Sequence, residues 1–228
     1  MNFLVHHQCF KNKEATKFAI TSFKEYNPEV PYVLWSDAGD DYSDVDGVNY
    51  FHSPINVGYR FYDKDKAFEL VDRVRKSCEL HPSLPYVMWM EDDVLVKGPV
   101  KVPSGIDFCA GPDMGNKYQP GVIEYLIGKY NVNPNFDFYC TAGGTIMSTD
   151  VFTTNFSLLE RFLDEDYEYI VEKMWRDLPH HDIMIMTLHL ICGKQYSVNP
   201  CHVELLRNPD WKNEKYTVVH GYKDNYIK

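Results

Sequence analysis

Apolar residues recur along the chain in two different periods, and the alternation between them predicts the architecture. Residues 3–5 form a short apolar run. Over residues 14–24 the spacing changes, and Ala15, Phe18, Ala19 and Phe23 fall on one helical stripe. Pro31-Tyr32-Val33-Leu34-Trp35 reads as a buried strand, closed by the turn-forming Ser36-Asp37-Ala38-Gly39. Residues 48–51 give a third short strand. A longer amphipathic helix is predicted over residues 63–80, with Ala67, Val71, Val74 and Cys78 on its apolar side. Residues 86–90, Tyr-Val-Met-Trp-Met, follow as a nearly continuous apolar strand.

Strands that are apolar on both faces and separated by helices imply a mostly parallel, doubly wound sheet. The fold class expected is α/β, Rossmann-like, with helices on both faces of the sheet. Ligands of such sheets bind outside the carboxyl ends of the strands. Polar side chains stand at several of those ends: His6 and His7, Asp37, and Glu91-Asp92-Asp93.

The second half is less regular. It predicts a strand over residues 108–111, a helix over 120–130 and a strand-like run over 140–148 that contains Gly143-Gly144. Helices are predicted over 149–163, 167–175 and 182–192, while residues 211–228 show no strong periodicity. No repeat, low-complexity tract or linker divides the chain, so residues 1–228 are expected to form one domain.

Composition narrows the partners. The 228 residues are 44% hydrophobic and 25% charged, a globular balance, and the formal net charge is -10. Nucleic acid and anionic membranes call for a basic face, so neither is expected as the main partner. A phosphate-bearing ligand must then be met by a metal ion or by a few local cations. The 17 tyrosines suit core packing or the lining of a site for ring-shaped ligands. No apolar run approaches the roughly 20 residues of a membrane span, and the first residues read as a strand rather than a signal peptide. A soluble, cytoplasmic protein is expected, with the six scattered cysteines reduced.

Glu91-Asp92-Asp93 is the most informative segment. Three adjacent carboxylates at the end of a buried strand repel one another and resist desolvation. A divalent cation resolves that conflict, and hard oxygen ligands suit Mg²⁺ or Mn²⁺. A solvated acidic turn is the plainer alternative.

The segment YVMWMEDDVLV resembles the metal-binding D-x-D region of GT-A glycosyltransferases, in an E-D-D variant, and the order of elements is similar over most of the chain. The flavour is similar to the small GT-A enzymes encoded by large algal viruses, which would place the protein in a host cytoplasm. The resemblance implies transfer of a sugar from a nucleotide diphosphate donor. It implies that Asp93 is the metal ligand and Asp92 the ribose contact, with Glu91 in support. Family frequency favours a UDP-sugar over GDP, and a glycan or glycoprotein as acceptor. Residues 1–97 become the nucleotide-binding half, and residues 98–228 the acceptor-facing half with its tail.

Other positions follow the same likeness. NPEVPYVLWSDAG resembles the family's second strand, which makes Asp37 a candidate for the base or ribose. His6 and His7 would lie beside the base, unless they are core or surface histidines. In VVHGYKDNY, His220 matches a metal-completing histidine and Lys223 a diphosphate-binding lysine. Their spacing is shorter than the family's H-x-x-G-x-x-K form, and a solvated tail is the alternative. CTAGGTIM resembles the small-residue loop beside the donor sugar, where Gly143 and Gly144 let backbone approach a ring, though a β-bulge would serve as well. Asp182 in LPHHDIMIM is either a helix N-cap or the acid at the donor–acceptor junction, as general base or donor-sugar contact.

Two enzyme rivals are weaker. A nucleotidyltransferase wants a glycine-rich loop after the first strand, where this chain has His7-Gln8-Cys9-Phe10. A phosphatase of the D-x-D-x-[TV] type needs an aspartate where Glu91 stands. A degenerate transferase domain that binds a glycan or partner without turnover is the non-enzymatic alternative.

Overall fold

The period-two patterns sort the strand residues between two apolar layers. The computed structural model describes residues 2–57, 63–112, 116–139, 143–174 and 181–222. In chain order the first half contains β1 (Phe3–Cys9), α1 (Lys13–Tyr26), β2 (Tyr32–Asp37), β3 (Asn49–Ser53), α2 (Lys64–Glu79), β4 (Tyr86–Met90) and β5 (Leu95–Val96). The second half contains β6 (Phe108–Ala110), β7 (Asn116–Lys117), α3 (Val122–Tyr130), β8 (Phe138–Tyr139), β9 (Ile146–Ser148), α4 (Phe156–Glu165), α5 (Tyr167–Lys173) and α6 (His181–Ile191). It ends in β10 (Tyr196–Val198), β11 (His202–Glu204) and β12 (Val218–His220).

The main sheet has seven strands in the order β10-β6-β9-β4-β1-β2-β3. It is parallel except at β9, which runs antiparallel to both β4 and β6. Phe3, Val5, Tyr32, Leu34, Met88 and Met90 face one layer with Ala19, Ile20 and Phe23 of α1. Leu4, Val33, Trp35, Val87 and Trp89 face the other, with Leu70, Val71 and Val74 of α2 and the buried stripe of α6. Each such fully buried aliphatic side chain stabilises the fold by about 1.5–3 kcal/mol relative to exposure.

Helix starts follow capping chemistry. Asn12 accepts from the Ala15 N–H at the start of α1, and Asp63 from the Asp65 N–H at the start of α2.

Several expectations need adjustment. β1 runs on to Cys9 because His6 and His7, although polar, are fully buried with partners of their own. The helix predicted over 149–163 is broken: a single 3₁₀ turn spans Thr149–Val151 and α4 begins at Phe156. Thr153 donates its hydroxyl to the Thr149 carbonyl and Asn155 its amide to the Asp150 carbonyl, and such local bonds compete with a helix ladder. The tail, read as aperiodic, contributes β12. That strand pairs parallel with β11 and antiparallel with β5, so the chain's end returns beside the acidic triplet.

Among the described residues, Cys9, Cys78, Cys109, Cys192 and Cys201 are free thiols. No helix of the described residues is long and apolar enough to cross a membrane.

Candidate functional site

The parallel pairing of β4, β1 and β2 brings their carboxyl ends to one edge, with Met90 beside His7 and His7 beside Leu34. Glu91, Asp92 and Asp93 emerge from β4 at that edge, and their side chains diverge.

Asp92 turns toward β1 and α1. Its Oδ1 accepts from the Thr16 hydroxyl at 2.7 Å and lies 3.0 Å from His7 Nε2. His7 Nδ1 meets the Tyr32 hydroxyl at 2.8 Å, so the imidazole is fixed at both nitrogens.

Glu91 and Asp93 turn the other way and meet His220 from β12. The three offer ligand atoms within 4.8 Å of one another. His220 Nε2 is 3.0 Å from Glu91 Oε2 and 3.4 Å from Asp93 Oδ1. Adjacent ligands of an octahedral ion with bonds of about 2.1 Å are separated by about 3 Å, so these spacings fit a small divalent cation. Two carboxylates with an imidazole suit Mn²⁺ or Mg²⁺ as donor chemistry. The tail is pinned where this requires it: the Tyr222 N–H donates to the Asp93 carbonyl at 2.8 Å, two residues beyond His220.

A second histidine closes the cluster. His181, at the start of α6, has Nε2 3.1 Å from Glu91 Oε1 and 3.3 Å from Asp182 Oδ1. Its ring stacks on Trp89, at 5.6 Å between centroids and 20° between planes. Burial alone would lower its pKa, but Asp182 beside it and the bond to Glu91 raise it to about 9. Burial likewise opposes charge on His220, yet hydrogen bonds to Glu204 and Glu91 hold its pKa well above the ordinary value. For Glu91 burial acts upward and loses to His181 and His220, which hold the carboxyl well below its usual range. Both histidines are thus biased toward the protonated form beside Glu91.

The glycines have a structural reason of this chain's own. A Cβ on Gly143 would lie 2.3 Å from Val94 Cγ2, and the Gly143 N–H donates to Glu91 Oε2 at 3.0 Å. Gly144 sits at φ +105°, its N–H bonded to the Trp89 carbonyl, with room for no Cβ beside Val218 and His202. The loop is thus packed directly against the acidic triplet.

Two sequence candidates lie among internal contacts. His6 is fully buried; its Nδ1 lies 2.8 Å from the Ser77 hydroxyl and its ring stacks on Trp89. Burial, then Arg73 and His7, pushes its pKa down to about 3. Asp37 is 4% exposed, accepts from Arg73 Nη1 at 2.9 Å and caps the Val57 N–H at 2.8 Å. Lys223 lies outside the described residues. Thr16 and Glu204 contribute to the site although the motifs did not single them out, and His7, expected beside the base, meets Asp92; only the third dimension brings them to the acids.

No protein-family model matches the chain, and no curated protein sequence matches it. The likeness to small viral enzymes therefore rests on the motifs alone. The structure does match a solved one, the galactosyltransferase LgtC in complex with donor and acceptor sugar analogues. The TM-score is 0.55 at 13% identity, over 96% of this chain and 86% of that one. The fold is accordingly of the GT-A glycosyltransferase type: a single α/β domain built on a seven-stranded, mostly parallel sheet flanked by helices.

Proposed function

We propose that the protein is a metal-dependent glycosyltransferase that moves a sugar from a nucleotide diphosphate donor, a UDP-sugar, to a hydroxyl of a glycan or glycoprotein. The observation that carries this reading is the convergence of Glu91, Asp93 and His220 at the carboxyl edge of a GT-A sheet. These residues would hold Mn²⁺ or Mg²⁺, which when bound offsets charge on the donor's diphosphate and on the departing nucleotide.

The chain's own residues supply the rest. Asp92, held by His7 and Thr16, is assigned to a ribose hydroxyl. The Gly143-Gly144 loop beside Glu91 flanks the donor sugar, and Lys223 is assigned to the diphosphate. Asp182, next to His181 at the rim of the cluster, takes the proton of the acceptor hydroxyl as its oxygen bonds to the anomeric carbon and the bond to the nucleotide diphosphate breaks. In this reading residues 1–97 bind the nucleotide and residues 98–228 face the acceptor.

The test is calorimetric titration of UDP and of GDP with Mn²⁺ present or removed by EDTA. Binding of UDP in preference to GDP is expected, lost with EDTA and in Asp93→Ala. Absence of binding by either nucleotide to folded protein overturns the reading and leaves a degenerate domain that binds a glycan or a partner.

A further inference from the structure

His220 has a second neighbour that the nucleotide-binding motifs do not contain. β11 and β12 pair in parallel with Glu204 directly opposite His220. At that register a Glu204 carboxylate oxygen bonds to His220 Nδ1, on the side of the ring away from Glu91 and Asp93. The same carboxylate is held in turn, since Glu204 Oε1 accepts from the Leu206 N–H at 3.3 Å. Gly221 follows His220 at φ +78°, and a Cβ there would stand 2.5 Å from Glu204 Oε1. The His-Gly pair is thus shaped to admit the carboxylate.

We propose that Glu204 is a positioning residue of the metal site, fixing the imidazole proton on His220 Nδ1 so that the Nε2 lone pair faces the ion held with Glu91 and Asp93; this rests on the metal-site reading above. An imidazole with no acceptor at Nδ1 divides between two tautomers and two ring orientations, only one of which presents Nε2 to an ion. A carboxylate behind a ligating histidine removes that freedom and makes the ligand more basic. Loss of such an outer partner typically weakens metal binding 10–100-fold.

The experiment is titration of Mn²⁺ alone into the whole protein, without nucleotide, followed by calorimetry. Glu204→Met keeps the side-chain length but removes the acceptor behind Nδ1, and is expected to weaken Mn²⁺ binding by about 10–100-fold. Unchanged affinity in that variant overturns the inference while leaving the metal site standing. A native protein that binds no Mn²⁺ overturns the metal-site reading itself, and the inference with it. The second measurement is the His220 tautomer in native protein loaded with diamagnetic Mg²⁺, read from long-range ¹H–¹⁵N spectra. A proton on Nδ1 supports the assignment. A proton on Nε2 excludes it, and this readout decides the matter even if Glu204→Met does not fold.

Discussion

β2 and β4 are both buried apolar strands that end in acid, yet the structure treats the two acids in opposite ways. At the end of β2, Asp37 meets the guanidinium of Arg73, itself fully buried, which also binds the Ser53 hydroxyl and the Ile55 carbonyl. That charge is matched permanently, because arginine does not lose its proton. At the end of β4, Glu91 meets His181, His220 and the Gly143 N–H, Asp93 meets His220, and Glu91 and His220 keep about a fifth of their side chains exposed (21% and 19%). An imidazolium is a counter-ion that can be given up to a metal. The strand-end acid is therefore not the mark of a site; the mark is an acid whose counter-charge is exchangeable and within reach of solvent.

The largest expected effect breaks the β2 arrangement. Arg73→Met leaves Asp37 buried without its cation, and removing one partner of such a pair costs about 3–5 kcal/mol. Urea unfolding should show this loss, and the double variant with Asp37→Asn should recover much of it. The matching change at β4, Asp93→Asn, should cost less urea stability than Arg73→Met, because the neighbouring His220 can give up its proton, while abolishing Mn²⁺ binding. Equal destabilisation by the two single variants would erase the distinction between the structural acid and the ligand.

The histidines sharpen the same comparison through pH. His6 and His189 are core imidazoles, and burial pushes their pKa values down to about 3 and about 4. Their unfolded value is near 6.5. Both therefore contribute stability that is complete above pH 6.5 and is lost as the pH falls toward 4. His181 has the opposite sign. Raised to about 9, it contributes fully below pH 6.5 and loses that contribution as the pH rises through 9. Metal-free protein should thus lose stability on both sides of a maximum near pH 6.5, by on the order of 3 kcal/mol for each histidine that titrates. Urea titrations between pH 4 and pH 9 check the shape. His181→Gln should shrink the alkaline decline and spare the acid one; an untouched alkaline limb would mean that His181 is not charged in the fold.

These contrasts also explain what the sequence disclosed. The first half was legible because its signals are local: α1 and α2 carry helical stripes, and β2 and β4 are continuous apolar runs. The triplet was conspicuous for the same reason. The β11–β12–β5 sheet was hidden, since its strands are two or three residues long and gain meaning only by pairing residues far apart, such as Val96 with Val218. The burial of His6 was not legible because a histidine at a strand end looks the same whether it faces solvent or Trp89. The ion pair of Asp37 was not legible because Arg73, its counter-ion, lies 36 residues further on within an ordinary amphipathic pattern. Phe18 was grouped with the core stripe of α1, yet it is 41% exposed.

That exposed ring supports the smallest effect. Phe18 stacks on Tyr222, with centroids 5.9 Å apart and planes 15° apart, and Trp211 meets the same tyrosine edge-on at 5.8 Å. Tyr222 is also the residue whose N–H reaches the Asp93 carbonyl, so the stack presses the tail against β4 just past His220. An aromatic pair of this kind contributes about 0.5–1.5 kcal/mol beyond its buried area. Phe18→Ala should lower the urea stability by that order and weaken Mn²⁺ binding a few-fold, with Phe18→Trp restoring both. If stability falls while Mn²⁺ affinity holds, the stack only fastens α1, and the Tyr222–Asp93 backbone bond is sufficient to keep His220 facing the acids. The tail would then join the metal site through hydrogen bonding rather than through packing, and the exchangeable side of the comparison would rest on β12 alone.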